Sequence, residues 1–222
     1  MESFSERIVQ FSKSQDFIGS SGESSFQVQG EALSATFYFT VSRGQLKHLS
    51  YTVNEEKVEN GVLFALCKLL KNADIKRIKS LTAREVESFL RDKNHIPAMG
   101  DLPFPDLFVD TFRELLLSKV FEDEIIKDLD FWTIKENASY VDKIKAISEF
   151  FTLKINMSEY FSEENIVIEL IQLEEESFFV EFSSSVNSVK LAPNTLSEVF
   201  LESIERLVHS VIRSENINLV AE

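Results

Sequence analysis

Cysteine is nearly absent from this chain, and its scarcity limits the chemistry that the chain can carry. The 222 residues contain one cysteine, Cys67. A single thiol excludes an intramolecular disulfide, and it excludes a cysteine-based zinc or cluster site built within one chain. Cys67 lies in an apolar helical run, FALCKLL. We therefore expect it to be a small buried core residue.

Basic residues and long apolar runs are also scarce. The chain has 23 Lys and Arg residues against 37 Asp and Glu residues, which gives a net charge of −14. Such a charge repels phosphate backbones, so we expect no nucleic-acid partner. No apolar run approaches the roughly 20 residues that cross a bilayer, and the start, MESFSERIVQ, lacks the basic and apolar regions of a signal peptide. We expect no membrane partner and a cytoplasmic location.

Catalytic and metal-binding motifs are missing as well. The sequence has no glycine-rich phosphate loop, no Ser-His-Asp pattern and no close pair of acid and base groups. His48, His95 and His209 are far apart, and no metal-ligand spacing links them. We therefore expect no catalytic residues and no enzymatic activity.

Phenylalanine, by contrast, is abundant, and its 20 residues can fill small cores with large side chains. The sequence predicts two strands, 36–41 and 46–53, joined by a tight turn at Arg43-Gly44. The apolar spacing then changes to that of a helix, for which Asn54 is the predicted N-cap. A hairpin with a helix on its apolar face forms a two-layer core.

Polar segments separate the remaining predicted elements of the first half. Residues 71–80, KNADIKRIKS, are predicted to be a polar break, and a long helix is predicted from Asp106 to about Phe121. The acidic stretch 122–136 is the predicted linker, although Phe131 and Trp132 within it indicate that it docks on something.

The second half repeats the mixture of helices and strands. It has a predicted amphipathic helix, two strands at 166–173 and 177–182, a helix after Pro193 and a short final strand. The predicted fold class is α+β, with two small domains, each a mostly antiparallel sheet covered by helices. The predicted boundaries are 1–121, an acidic linker at 122–136, and 137–222.

Several stretches together resemble the NifU-type proteins of iron–sulfur cluster assembly. The run FSERIVQFSKSQDFIG, the hairpin with Gly44 and the helix containing Gly61 are similar in order and spacing to the NifU/IscU scaffold domain. The helix VDKIKAISEFF, the strands IVIELIQL and FFVEF, and the pair Thr195-Leu196 resemble the Nfu module. The resemblance covers nearly the whole chain and implies an IscU/NifU-N-like domain followed by an Nfu-like domain.

The cysteines that hold the cluster in that family are absent here. The resemblance places the three scaffold ligands near residues 31–33, 54–56 and 108–110, and the Cys-x-x-Cys pair of the Nfu module at 186 and 189. The degenerate ligand positions are Glu31, Glu56, Asp110, Val186 and Val189. Iron–sulfur clusters are held mostly by thiolates. We therefore expect no cofactor, although the parent family binds iron or a cluster.

The resemblance implies a NifU-related protein with an interaction or regulatory role in iron–sulfur assembly. Its expected partners are a cysteine desulfurase or other assembly proteins. Two alternatives stay open: a SufE-like sulfur-acceptor partner of a desulfurase, which needs a reactive Cys67, and a non-enzymatic adaptor unrelated to iron–sulfur metabolism. The sequence also leaves open a homodimer, in which Cys67 could be an intersubunit ligand.

Overall fold

The chain is an α+β protein that divides into two compact units, Met1–Leu117 and Ser118–Glu222. The structure, a computed structural model, describes residues 4–31, 33–42, 45–55, 57–214 and 217–222. Each unit contains one three-stranded sheet with helices, so the predicted fold class is confirmed. Within these described ranges, no helix has the length and apolar character that crossing a membrane requires.

The sheet of the first unit is fully antiparallel, with strand order β1-β2-β3. Along the central strand, buried and part-exposed side chains alternate, as the period of a strand with one covered face requires. Phe37 and Phe39 are buried, which confirms the predicted inward face. The predicted turn at Arg43-Gly44 lies outside the described residues. The strands are β1 (Ser24–Gln29), β2 (Ser34–Ser42) and β3 (Gln45–Thr52).

Five helices accompany this sheet in the described part of the first unit, and two predictions about them are wrong. The central helix begins at Asn60 and not after Asn54, because residues 57–59 form a turn that precedes it. The predicted polar break contains a helix, whose N-cap Asp74 accepts a hydrogen bond from the Arg77 amide at 2.8 Å. The helices are α1 (Glu6–Ser12), α2 (Asn60–Leu69), α3 (Ile75–Ser80), α4 (Ala83–Leu90) and α5 (Asp106–Ile126), of which α5 continues into the second unit.

The second unit has strand order β4-β5-β6, with β4 antiparallel and β6 parallel to the central strand. The observed bounds of β4 match the predicted strand. The stretch predicted as an acidic linker, 122–136, holds the end of α5 and a further short helix, and the two units divide before it. The elements are α6 (Leu129–Trp132), α7 (Tyr140–Phe150) with a π-helical turn (Phe151–Ile155), α8 (Glu159–Glu164), β4 (Ile166–Leu173), β5 (Ser177–Ser184), α9 (Glu198–Ile212) and β6 (Asn218–Ala221).

A buried polar cluster joins α5 and α9 within the second unit. Glu122 is only 8% exposed, and its carboxylate accepts hydrogen bonds from Lys119 at 2.7 Å and from Arg206. Burial alone would raise the pKa of Glu122, but hydrogen bonds from Lys119, Arg206 and Ser203 outweigh it and hold that pKa below its usual value. The cluster therefore keeps a charged carboxylate inside the unit.

Candidate functional site

Three segments of the first unit meet at one end of its sheet. The strand register puts the β1–β2 loop and the end of β3 at the same end, since Gln29 pairs with Ser34 and Thr36 with Thr52. The loop is closed by a hydrogen bond from the Gly30 amide to the Leu33 carbonyl at 2.8 Å.

The start of α5 reaches the same end of the sheet. A Cβ atom added to Gly30 would lie 3.3 Å from the ring of Phe108. Gly30 therefore allows the β1–β2 loop to lie close to α5, where a Cβ atom would make tight contacts with Phe108 and with the Leu33 carbonyl. These are the three regions to which the resemblance assigns the scaffold ligands.

A small cavity of about 220 Å³ lies between the β1–β2 loop and the loop that precedes α2. Asn60 organises this loop: its side chain is buried, and its amide nitrogen donates to the Glu55 carbonyl at 3.0 Å. Leu33 is buried and gives the cavity an apolar part. The lining residues are Leu33, Ser34, Asn54, Glu55, Lys57 and Asn60.

The acidic side chains of these segments face solvent or bind cations of the chain. Glu31 is exposed, and Glu55 forms an ion pair with Lys57 at 3.0 Å. Asp110 forms an ion pair with Arg113 at 3.0 Å. Glu56, the remaining position of this unit to which the resemblance assigns a lost ligand, lies outside the described residues. The carboxylates that the structure describes here are therefore spread over the surface and do not converge on one point.

An iron–sulfur cluster does not fit this donor set. The cavity offers carboxylate, amide and hydroxyl groups and the ammonium of Lys57, whereas such clusters take mostly thiolates. The part of the chain that the structure describes contains no group of three or more His, Cys, Asp or Glu side chains arranged to hold a metal ion. The segments that would carry ligands are brought together, but their side chains are unsuited to the cluster.

Cys67, the only thiol, is buried inside the first unit and does not line this cavity. Its side chain is 1% exposed on α2, and burial raises its pKa far above the usual value for a thiol. Burial likewise raises the pKa of Tyr51, and the nearby thiol adds to that rise. Cys67 is thus protonated and shielded, which is the state of a structural cysteine.

The two positions of the second unit to which the resemblance assigns the Cys-x-x-Cys pair lie on an exposed turn that follows β5. Val186 and Val189 are 69% and 57% exposed, and the Ser184 amide donates to the Val189 carbonyl at 2.9 Å to close the turn. Ser188 in this turn has a φ of +51°. The side chains of Val186 and Val189 are aliphatic, so they have no lone pairs to donate to a metal ion.

His48 lines a small cavity of about 200 Å³ that Cys67 also borders, and the other two histidines lie elsewhere. His48 lies within hydrogen-bonding distance of Ser21 and Ser50, at 2.9 and 3.1 Å, while His95 is exposed at a loop. In the second unit, His209 bonds to the backbone carbonyl of Ile217.

Sequence reasoning did not find Asn60 and Lys57, which shape the cavity. A buried asparagine at the start of a helix has no signature beyond the Asn-Gly pair in which it stands, because its partner is a backbone carbonyl five residues earlier. Comparison with known proteins adds no relative: no family model, no curated protein and no solved structure matches this chain significantly.

Proposed function

We propose that this protein is a NifU-related, non-enzymatic component of iron–sulfur cluster assembly that binds assembly proteins and holds no cluster itself. The observation that carries this proposal is the meeting of the β1–β2 loop, the loop before α2 and the start of α5 at one end of a sheet. The order of a helix, three antiparallel strands and further helices supports it too. We place its action in the cytoplasm.

The side chains at this end of the sheet suit recognition of a protein better than ligation of a cluster. Glu31, Glu55 and Lys57 are exposed and charged, on loops held by a rigid sheet. Charged loops of this kind set the specificity and the rate of protein association. A partner that delivers sulfur to a scaffold must reach the loops that carry the ligands. A cysteine desulfurase is therefore the leading partner for the same face of this chain.

The burial of Cys67 weighs against the sulfur-acceptor alternative. An acceptor needs a thiolate that the persulfide of the desulfurase can reach, because the thiolate is the nucleophile. The thiol here is 1% exposed and its pKa is raised. The structure thus supports a binding role over a sulfur-carrying role.

Binding to a purified cysteine desulfurase from the same cell tests the proposal. We expect association with a Kd of about 1–10 μM, in the range of transient assembly complexes. The double variant Glu31→Lys and Glu55→Lys should weaken it at least about fivefold, because it reverses the charge of the loops. Glu175→Lys is the matched control, since Glu175 is an exposed carboxylate in the turn between β4 and β5.

Two outcomes would contradict the proposal. An absence of binding at about 100 μM would favour the adaptor alternative, which has the same fold but other partners. Equal affinities for the loop variant and the Glu175→Lys control would show that the desulfurase does not recognise the loops described above.

A further inference from the structure

The negative charge of the chain is concentrated in its second unit. Residues 1–117 carry 14 basic and 16 acidic side chains, for a net charge of −2, whereas residues 118–222 carry 9 basic and 21 acidic side chains, for a net charge of −12. A positively charged partner is therefore attracted more strongly to the second unit than to the first.

The second unit also carries most of the exposed large apolar side chains. Of twelve such side chains in the described part of the chain, nine lie after residue 117. Phe131 is the most exposed of them, at 84%. Single exposed apolar residues are ordinary on protein surfaces, but a group of them indicates a binding surface.

Four of these side chains lie on two segments that contact one another. Lys154, in the π-helical turn, bonds to Asp128 at 2.7 Å, and the Glu159 amide bonds to Glu124 at 3.2 Å. The ring of Trp132 lies 6.1 Å from the ring of Phe150. These contacts hold two segments together. One contains the end of α5 and α6, and the other contains the end of α7, the π-helical turn and the start of α8. We name the exposed residues on them the acidic–apolar patch: Ile126, Phe131, Leu153, Met157, Asp128 and Asp130.

Carboxylates dominate the charge of the patch. Asp128 and Asp130 are exposed, and the hydrogen bond from Lys154 lowers the pKa of Asp128, which keeps it ionised. The neighbouring cations already bind carboxylates, Lys127 at Asp123 and Lys154 at Asp128. An incoming cation would therefore find the exposed carboxylates of Asp128 and Asp130 on the same segment as Ile126 and Phe131.

We propose that the acidic–apolar patch binds a basic amphipathic segment of another protein. The apolar side chains of the segment cover Phe131 and its apolar neighbours, while its Lys and Arg residues meet the exposed carboxylates of Asp128 and Asp130. Charge complementarity selects this occupant. In a dimer formed through this patch, the carboxylates of one copy would face those of the other and repel them. An anionic membrane would be repelled by the same carboxylates. The proposal does not rest on the proposed function, because it uses none of the residues of the first site.

Synthetic peptides test this proposal on the full chain. The probe is a peptide of about 18 residues, made only of leucine and lysine, with leucine at positions that form one face of a helix. Two matched peptides accompany it: one with glutamate in place of lysine, and one with the same composition but with its leucines spread around the helix. Trp132 is the only tryptophan and its ring lies 5.5 Å from that of Phe131, so its emission reports binding at the patch.

We expect the amphipathic basic peptide to shift the Trp132 emission saturably, with a Kd of about 1–50 μM, and the acidic peptide to give no shift. Phe131→Ser should weaken binding about tenfold, as loss of a central aromatic anchor does, measured by anisotropy of a labelled peptide. Leu107→Ser is the matched control, since Leu107 is 81% exposed in the first unit, and it should leave the affinity within about twofold. Asp128→Asn with Asp130→Asn should reduce both the affinity and its salt dependence.

The proposal is overturned if the basic amphipathic peptide does not bind, or if Phe131→Ser and Leu107→Ser have equal effects. Equal affinities for the amphipathic peptide and the peptide with scattered leucines would also contradict the proposal, because they would show that binding depends on charge alone and not on an apolar face. A dimer in sedimentation that Phe131→Ser abolishes would make a second copy the occupant instead. Both substitutions replace exposed side chains, and circular dichroism checks that each variant is folded.

Discussion

Replacement of Gly61 by alanine perturbs a close contact between two helices of the first unit. A Cβ atom at Gly61 on α2 would lie 2.5 Å from the carbonyl oxygen of Ile8 on α1. A backbone oxygen cannot rotate away, so α1 must shift. That shift is resisted because Ser5, the N-cap of α1, donates from its hydroxyl to the Leu90 carbonyl at 2.6 Å and from its amide to the Ala98 carbonyl at 2.8 Å.

Two effects of opposite sign decide the outcome of this substitution. Alanine is favoured over glycine within a helix by about 1 kcal/mol. Forcing an extra carbon into a packed contact destabilises by about 1–3 kcal/mol. Because the clash is with the backbone, we expect the second effect to win and the free energy of unfolding of the first unit to fall by about 1–2 kcal/mol. The opened fraction should then rise about 5–30-fold.

Cys67 provides the assay, because it lies on the same helix and is 1% exposed. When opening is fast relative to modification, the rate at which a thiol reagent modifies Cys67 follows the opened fraction. We expect Gly61→Ala to be modified about 5–30 times faster than the wild type, and Lys68→Ala, at an exposed position of α2, to stay within about twofold. A Gly61→Ala protein that is modified no faster, or that resists urea better than the wild type, would refute the close α1–α2 contact.

Three further predictions concern buried groups. Cys67 of the native protein should react with a thiol reagent at least about 100 times more slowly than in the urea-unfolded chain, and equal rates would restore the sulfur-acceptor alternative. Because the pKa of Glu122 is lowered in the folded protein, its charge stabilises the fold above its unfolded pKa and this contribution is lost as pH falls through the folded pKa. Glu122→Gln should therefore lower the urea midpoint more at about pH 7 than at about pH 3, and an equal loss at both would contradict that reasoning. Asn60→Ala should lower the free energy of unfolding by about 1–2 kcal/mol, because it removes the hydrogen bond to the Glu55 carbonyl; a change below about 0.3 kcal/mol would show that this bond does not hold the loop.

The central strand of the first unit was predictable because its buried and part-exposed side chains alternate, and β4 because it is an apolar run bounded by polar segments. Phe37 and Phe39 point to the core from β2, and the apolar run from Ile166 to Leu173 coincides with β4. One face of β2 is covered along its length, so the period of two is visible in its sequence, whereas the burial of β4 departs from that period after Glu169, near a register shift at Leu170. Nothing in that alternation predicts that β6 pairs in parallel with β5, because the pairing depends on where α9 returns the chain.

The errors arose where contacts distant in sequence decide the local structure. Helix α3 has only two buried apolar residues, Ile75 and Ile78, so its sequence looks like a polar loop. Helix α5 continues beyond Phe121 because Ile125 is also buried, whereas the acidic residues around it suggested a linker. The strand register could place the β1–β2 loop and the end of β3 at one end of the sheet, but the assignment of a site to that end stays a prediction that rests on the resemblance. The arrangement of Asn60 and its cavity was not predictable, since a side-chain bond to a backbone carbonyl leaves no periodic pattern.

Anaerobic reconstitution with iron, sulfide and a cysteine desulfurase tests the central claim most directly, namely that this chain has the scaffold-like loops without the ligands of a cluster. The chain offers one cysteine, which is buried, and three histidines, whereas clusters of this kind take about four protein ligands, mostly thiolates. A cysteine-bearing NifU-type scaffold treated in parallel is the positive control. We predict no stoichiometric visible absorption after desalting. A retained brown chromophore with about two or more irons and sulfides per chain would contradict the account and restore an ordinary scaffold role.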